Sequence, residues 1–139
     1  MALERFCRRT PVTTQPDASV GDAAQMMREH HVGAVVVVED GVPVGMITDR
    51  DIVLRTVLSG LDASATKVRD VMSESVVSAR IDEQIDDVVT RMRAGRVRRL
   101  PIVDRNGRLA GIVTLDDVMV LLAGELGEAV AAVRSNRGP

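Results

Sequence analysis

Apolar residues in this chain alternate between the spacing of amphipathic helices and the short β-branched runs typical of buried strands. Residues 18–31 carry apolar side chains at helical intervals, and Asp17 or Ser19 is placed to cap that helix. Residues 34–38 and 42–47 predict two strands joined by a tight turn. The elements predicted for the first half are a leading strand at 12–14, a helix at 18–31, strands at 34–38 and 42–47, and a helix at 52–58.

The second half repeats this order of elements. Its predicted elements are a strand at 76–78, a helix at 83–94, strands at 100–103 and 109–113, and a helix that begins at Thr114. The apolar stripe of the last helix continues to Val133, well past the point where the first half stops. Gly124 and Gly127 predict a bend or a break in this helix, and the tail 135–139 is expected to fray.

The two halves also match residue against residue, which indicates an internal duplication. A shift of 65 positions superimposes the residues up to the second predicted strand, and a shift of 66 superimposes those after it. The matched pairs include Asp17 with Asp82, Met27 with Met92, Val38 with Val103, Gly45 with Gly111, Thr48 with Thr114, and Asp51 with Asp117. The extra residue, Asn106, precedes a glycine, and a loop tolerates such an insertion. The duplication predicts two like units that face each other across two like clefts.

The duplication divides the chain into repeat 1 (residues 1–62), repeat 2 (63–124) and a C-terminal helical extension with its tail (125–139). Each repeat includes its own lead-in, at residues 3–7 and 68–72. A repeat of about 50 residues is too short to bury a comfortable core, so the two should fold as one unit.

Composition excludes several classes of function. With 18 basic and 20 acidic residues, no global field draws the chain to nucleic acid or to a membrane surface. Phe6 is the single aromatic residue, and a platform for single-stranded nucleic acid needs several. Cys7 is the single cysteine, so no internal disulfide forms. The chain has no apolar run that could be a signal peptide or span a membrane, and the expected location is the cytoplasm.

A Thr-x-x-Asp motif stands at Thr48/Asp51 and again at Thr114/Asp117. One interpretation is a capping box, in which the Thr side chain and the acidic side chain satisfy each other's backbone N–H groups. The other is recognition of a sugar, because a carboxylate accepts hydrogen bonds from both hydroxyls of a cis-diol. The two interpretations are compatible at the threonine and compete at the aspartate.

A basic cluster surrounds the end of the helix at 83–94. Its members are Arg91, Arg93, Arg96, Arg98 and Arg99. Cations suit a helix C-terminus, which explains the first three without a ligand. Arg98 and Arg99 instead adjoin a buried strand, and guanidinium groups bind phosphate through two hydrogen bonds.

Four segments give the chain a family resemblance. They are Val68-Arg69-Asp70-Val71-Met72, Arg98-Arg99-Leu100-Pro101-Ile102-Val103-Asp104, Gly45-Met46-Ile47-Thr48-Asp49-Arg50-Asp51-Ile52 and Gly111-Ile112-Val113-Thr114-Leu115-Asp116-Asp117-Val118. The chain resembles a stand-alone tandem pair of CBS (cystathionine-β-synthase) domains, a Bateman module. The resemblance implies an α+β fold of two β-α-β-β-α repeats packed through their sheets with pseudo-twofold symmetry.

The resemblance also implies an adenosine compound in the clefts between the repeats. The ribose ligands would be Thr48, Asp51, Thr114 and Asp117. The phosphate ligands would be Arg98, Arg99 and Arg50. The adenine contacts, which an ordinary strand and loop explain equally well, would be Val12, Thr13, Val77 and Ser78. The clefts are expected to differ, because repeat 1 has Gly33 in place of Arg98 and repeat 2 has Asp116 in place of Arg50.

The expected function is a regulatory sensor of AMP, ADP or ATP, with no catalytic residues and no resident cofactor, although Mg²⁺ could accompany ATP. The expected partners are the small molecule, a second copy in a homodimer, and an unknown regulated protein. S-adenosylmethionine is a less favoured ligand, because two arginines repel its sulfonium. A ligand-free module for dimerisation or protein interaction is the main alternative, and an enzyme is a remote one.

Overall fold

The computed structural model describes residues 3–7, 10–74 and 78–136. In repeat 1 the elements are β1 (Thr13–Thr14), α1 (Val20–His30), β2 (Ala34–Glu39), β3 (Val42–Thr48) and α2 (Asp49–Ile52), which continues as a π-helical turn (Val53–Val57). In repeat 2 they are β4 (Ala79–Arg80), α3 (Ile85–Gly95), β5 (Arg99–Val103), β6 (Leu109–Thr114) and α4 (Leu115–Ser135). Short 3₁₀ turns at Leu3–Phe6 and Val68–Asp70 form the two lead-ins.

Each repeat builds the same three-stranded sheet. β1 pairs with β2 in parallel and β2 pairs with β3 antiparallel, and β4, β5 and β6 repeat this arrangement. A parallel pair needs a crossover, which α1 and α3 supply. The predicted α+β fold with two β-α-β-β-α repeats is confirmed.

The turn between the last two strands differs between the repeats, as the extra residue predicts. In repeat 1 Asp40 (φ 52°) and Gly41 (φ 79°) form a two-residue turn, and positive φ at both positions suits the twist of a hairpin. In repeat 2 the longer loop is held by Asp104 Oδ1, which accepts from the N–H groups of Asn106 (2.8 Å) and Arg108 (3.0 Å). The insertion therefore lies in a loop and leaves the strands in register.

Two sequence predictions are wrong in detail. A strand was predicted at 76–78, but Ser78 is not part of a strand. The strand begins one residue later, where β4 pairs Ala79 with Ile102 and Arg80 with Val103. The other predicted residues of that strand, 76 and 77, lie outside the described residues. Of the bend or break predicted at Gly124 and Gly127, the break does not occur, because α4 is one helix of 21 residues. A helical glycine weakens a helix by only about 1 kcal/mol, which the other residues of α4 offset.

The packing of the lead-ins crosses between the repeats. Val68 and Val71 of the second lead-in are buried in the core of repeat 1, beside Val20 and Ile47. Leu3 of the first lead-in is fully buried in the core of repeat 2. The predicted boundaries thus divide the chain by sequence, whereas each core takes a lead-in from the neighbouring repeat.

Backbone contacts fix these lead-ins to the sheets. Met46 and Ser73 exchange hydrogen bonds of 3.2 and 2.9 Å, which adds a short bridge to the edge of β3. The linker before it donates from Val68 N to Ala18 O (2.8 Å) at the start of α1. None of the helices that the structure describes is long and apolar enough to cross a bilayer.

Candidate functional site

A cleft of about 380 Å³ lies where repeat 1 meets repeat 2. Repeat 1 contributes the end of β3 and the start of α2, and repeat 2 contributes the residues around the start of β5. The lining residues are Met46, Thr48, Asp49, Arg50, Asp51, Ser73, Val97, Arg98, Arg99 and Leu100. The cleft therefore contains the first Thr-x-x-Asp motif together with all three arginines predicted from the sequence, and this resolves which motif Arg98 faces.

Thr48 and Asp51 form a capping box at the start of α2. Asp51 N–H donates to Thr48 Oγ1 (3.1 Å), and Thr48 N–H donates to Asp51 Oδ2 (3.0 Å). The other carboxylate oxygen, Oδ1, lies 3.9 Å from Arg55 Nη2. The Asp51 side chain is 16% exposed, so the box holds a half-buried carboxylate at the wall of the cleft. The capping interpretation is confirmed, and lone pairs remain for a ligand because a carboxylate has about four.

The three arginines of the cleft differ in their partners. Arg98 Nη2 donates to Asp116 Oδ1 at 2.8 Å in an exposed ion pair. Arg50 and Arg99 make no side-chain ion pair with any residue in the described ranges. Two guanidinium groups are thus available to an anion, and a third is available if its ion pair opens.

Apolar side chains make up much of the wall, and the sequence analysis did not select them. Met46 lies two residues before Thr48 on β3, so the two side chains share a face of the strand. Val97 lines the cleft from repeat 2, whereas the side chain of Leu100 is 2% exposed and packs in the core of that repeat. Ser73 lies beside Met46 in the wall. The period of two along β3 could have predicted Met46, whereas Ser73 depends on the packing of the second lead-in.

The second motif lies outside this cleft. Thr114 caps α4 by accepting from Asp117 N–H at 3.1 Å, and both residues are partly buried. Neither lines the cleft that contains Asp51. Their predicted role at a second ribose site stays a prediction.

Three of the four predicted adenine contacts, Val12, Thr13 and Ser78, do not line the cleft. Val12 O accepts from Val36 N–H at 3.0 Å, so this carbonyl already serves the pairing of β1 with β2. Thr13 is part of β1. Ser78 O accepts from Arg91 Nη1 at 2.8 Å, and Val77 lies outside the described residues.

Arg91 has a structural role next to this strand. Its guanidinium also donates to both carboxylate oxygens of Glu83, at 2.6 and 3.0 Å. The hydrogen bond from Arg91 holds the pKa of Glu83 below its ordinary value, against the effect of burial. Arg91 therefore fixes the chain before β4 to α3, in line with its explanation without a ligand. Among the residues that the structure describes, no three His, Cys, Asp or Glu side chains come together as metal ligands.

The sequence profile of the CBS domain matches residues 3–56 and 68–124. The chain belongs to the CBS domain family. Both matches include the lead-in of their repeat, so the CBS pair accounts for most of the sequence.

Curated relatives support this assignment. A CBS domain-containing protein of Bacillus subtilis, YhcV, is 46% identical over 108 residues, which cover 78% of this chain and 76% of that protein. An uncharacterized protein of Methanopyrus kandleri is 41% identical over 120 residues, or 86% of this chain. The match spans 61% of the length of the M. kandleri protein.

Solved CBS structures share the fold. The CBS domain pair of protein MJ0100, in complex with 5′-methylthioadenosine and S-adenosyl-L-methionine, has a TM-score of 0.79 and 26% identity, covering 90% of this chain and 98% of that chain. The CBS protein PAE2072 of Pyrobaculum aerophilum, complexed with AMP, has a TM-score of 0.77 and covers 84% of this chain and 89% of that chain. At 23% identity the second likeness is one of fold alone.

Proposed function

We propose that this chain is a regulatory module that binds an adenosine compound in the cleft between its CBS repeats. One observation carries the proposal: a single cleft combines a half-buried carboxylate, Asp51, with the guanidinium groups of Arg50, Arg98 and Arg99. The complex of MJ0100 with two adenosine compounds supports this class of ligand. The role is regulatory rather than catalytic, the regulated protein is unknown, and the proposed location is the cytoplasm.

The ribose is assigned to Asp51. Its carboxylate is already oriented by the Thr48 N–H, so little side-chain entropy is lost when a diol donates to it. Hydrogen bonds to a charged group contribute about 1.5–3 kcal/mol each. The apolar wall beside it, with Met46 and Val97, suits the faces of a purine ring.

A phosphate is assigned to the arginines, and this selects among adenosine compounds. Arg50 and Arg99 form no ion pair in the described ranges and would gain none from a neutral nucleoside, and they would repel a sulfonium. AMP, ADP or ATP is therefore preferred over S-adenosylmethionine, with Mg²⁺ accompanying ATP. Asp117 remains the proposed ribose ligand of a second, unequal cleft.

The test is calorimetric titration of adenosine, AMP, ADP, ATP, 5′-methylthioadenosine and S-adenosylmethionine into the full chain. Asp51→Asn should weaken binding roughly 10–150-fold, from the loss of about 1.5–3 kcal/mol. Asp117→Asn is the matched variant, because it changes the same motif position outside this cleft. It should leave the affinity at the Asp51 cleft unchanged and alter only the stoichiometry if a second ligand binds.

Two results would contradict the proposal. Equal affinity of the parent chain and Asp51→Asn would remove the ribose role from Asp51. Binding of none of the six compounds would favour the alternative, a module for dimerisation or protein interaction.

Dimerisation itself has structural support, and it is compatible with ligand binding. Apolar side chains are exposed at equivalent positions of the two repeats: Val53 and Leu54 in repeat 1, and Met119 and Val120 in repeat 2, are between 43% and 74% exposed. A duplicated apolar face suits a twofold interface, in which the same surface meets its own copy. The proposed occupant of this face is a second copy of the chain.

The end of α4 adds a second contact for that copy. Its apolar residues Met119, Leu122, Leu126, Ala129 and Val133 are spaced by three and four residues in turn, which is the seam of a coiled coil. Residues 122–136 are exposed throughout in the single chain.

A further inference from the structure

Asp116 has a position next to the cleft that the proposed function leaves unexplained. Its Oδ1 accepts from Arg98 Nη2 at 2.8 Å, and the two side chains are 76% and 68% exposed. Leu115 N–H donates to Arg98 O at 2.7 Å, which brings the start of α4 beside the start of β5. The backbone therefore places the acid within reach of the arginine.

Repeat 1 has the same backbone arrangement with different side chains. Asp49 N–H donates to Gly33 O at 3.0 Å, in the position of the Leu115–Arg98 bond. Gly33 stands in place of Arg98, and Arg50 stands in place of Asp116. Both repeats therefore share this backbone hydrogen bond, but only repeat 2 has the arginine–aspartate pair. Since repeat 1 folds in the same way without the pair, the fold does not require it.

We propose that Asp116 is a specificity-determining residue that acts through Arg98. In the empty cleft the Asp116 carboxylate occupies the guanidinium that would otherwise bind the phosphate of the ligand. A phosphate must displace this carboxylate and then tolerate its negative charge nearby. Asp116 therefore lowers the affinity for phosphorylated ligands and has no effect on a neutral nucleoside. The inference rests on the proposed function and identifies which chemical group of the ligand this residue controls.

The strength of the ion pair fits such a role. An exposed pair contributes little to stability, so a ligand opens it at small cost. Phosphate carries more charge than a carboxylate and also accepts two hydrogen bonds from a guanidinium, so it wins the competition. The pair adjusts the affinity for phosphate without blocking the cleft.

The experiment compares AMP with adenosine by calorimetric titration of the full chain and its variants. Asp116→Asn should bind AMP roughly two- to fivefold more tightly than the parent, the factor that corresponds to losing an exposed ion pair. It should bind adenosine as the parent does. Asp116→Glu should restore the affinity of the parent for AMP.

Two further variants separate this effect from a general change in charge or fold. Asp82→Asn is the matched control, because it removes the partner of Arg80 in another exposed 2.7 Å pair away from the cleft. It should change neither affinity. In an Arg98→Gln background, Asp116→Asn should give no gain, because the effect requires the arginine.

The outcomes distinguish this inference from the proposed function. A parent chain that binds both compounds, with an Asp116→Asn variant of unchanged AMP affinity or with equal gains for AMP and adenosine, would overturn this inference alone. A parent chain that binds neither compound would overturn the proposed function and this inference with it.

Discussion

Thr56 is a buried threonine, 1% exposed, whose Oγ1 has no hydrogen-bond partner among the described residues. It lies in the π-helical turn that follows α2, and such turns interrupt the regular pattern of backbone hydrogen bonds. A buried hydroxyl without a partner costs about 1–3 kcal/mol. We expect Thr56→Val to raise the free energy of unfolding in urea by about 1 kcal/mol, because the methyl group replaces the hydroxyl at similar volume.

Thr56→Ser is the control for this prediction. It keeps the hydroxyl and removes a methyl group, so it should destabilise the chain by about 1 kcal/mol. Equal stability of the valine variant and the parent would mean that the hydroxyl is solvated.

Single residues of the site were predictable where chemistry and spacing act locally. Thr48 and Asp51 stand three residues apart, and that spacing predicts both the capping box and a carboxylate at a helix start. The position of Arg98 beside Thr48 and Asp51 depends on how the two repeats pack against each other, so no local sequence pattern predicts it. Ser73 was not predicted for the same reason, because it lines the cleft only when the second lead-in packs beside β3.

At the scale of elements, Gly45 and Gly111 allow the two lead-ins to pack closely against β3 and β6. A Cβ on Gly111 would lie 3.0 Å from Cys7 Cα and 3.2 Å from Phe6 O, both of them backbone atoms. A Cβ on Gly45 would likewise lie 3.0 Å from Ser73 O. We expect Gly111→Ala to lower the free energy of unfolding by about 1–3 kcal/mol in urea titrations, because the first lead-in must shift away from β6.

Gly124→Ala is the matched variant, and we expect it to change the free energy of unfolding in the opposite direction. Gly124 is inside α4, and apart from its two chain neighbours and the backbone of its own helix no atom of the described residues lies within 4 Å of the added methyl group. This variant should stabilise the chain by about 0.5–1 kcal/mol. A stable Gly111→Ala variant would show that the first lead-in does not need its close approach to β6.

The elements themselves were largely predictable because each follows from a periodic pattern. β2, β3, β5 and β6 lie within one or two residues of their predicted bounds, since their apolar runs are buried. β4 was misplaced because a two-residue edge strand contains too few residues to show a period. The crossing of the lead-ins was not predictable, because the order of segments in the sequence does not specify which core each segment enters.

For the whole molecule, α4 makes a prediction about assembly. Leu126 is 66% exposed in the single chain and lies on the proposed seam. We expect Leu126→Glu to weaken the dimer at least about tenfold in sedimentation equilibrium, because each copy would bury a charge in place of a leucine. Thermal unfolding of the monomer should hardly change, because the side chain touches no core.

Glu128→Gln is the matched variant on the same helix, and it should leave the dimer nearly as strong as in the parent. A parent chain that stays monomeric at all concentrations would contradict the proposed dimer. Equal dimerisation of Leu126→Glu and the parent would place the interface elsewhere.

The exchange of lead-ins also sets the order in which the two cores can form during synthesis on the ribosome. Among the described residues, the core of repeat 1 draws only on those from Val12 to Met72, so its parts emerge together. The core of repeat 2 joins Leu3, which precedes every strand of repeat 1, to Val118 in α4. During synthesis the apolar side chains of the first lead-in therefore stay uncovered until Val118 has left the exit tunnel.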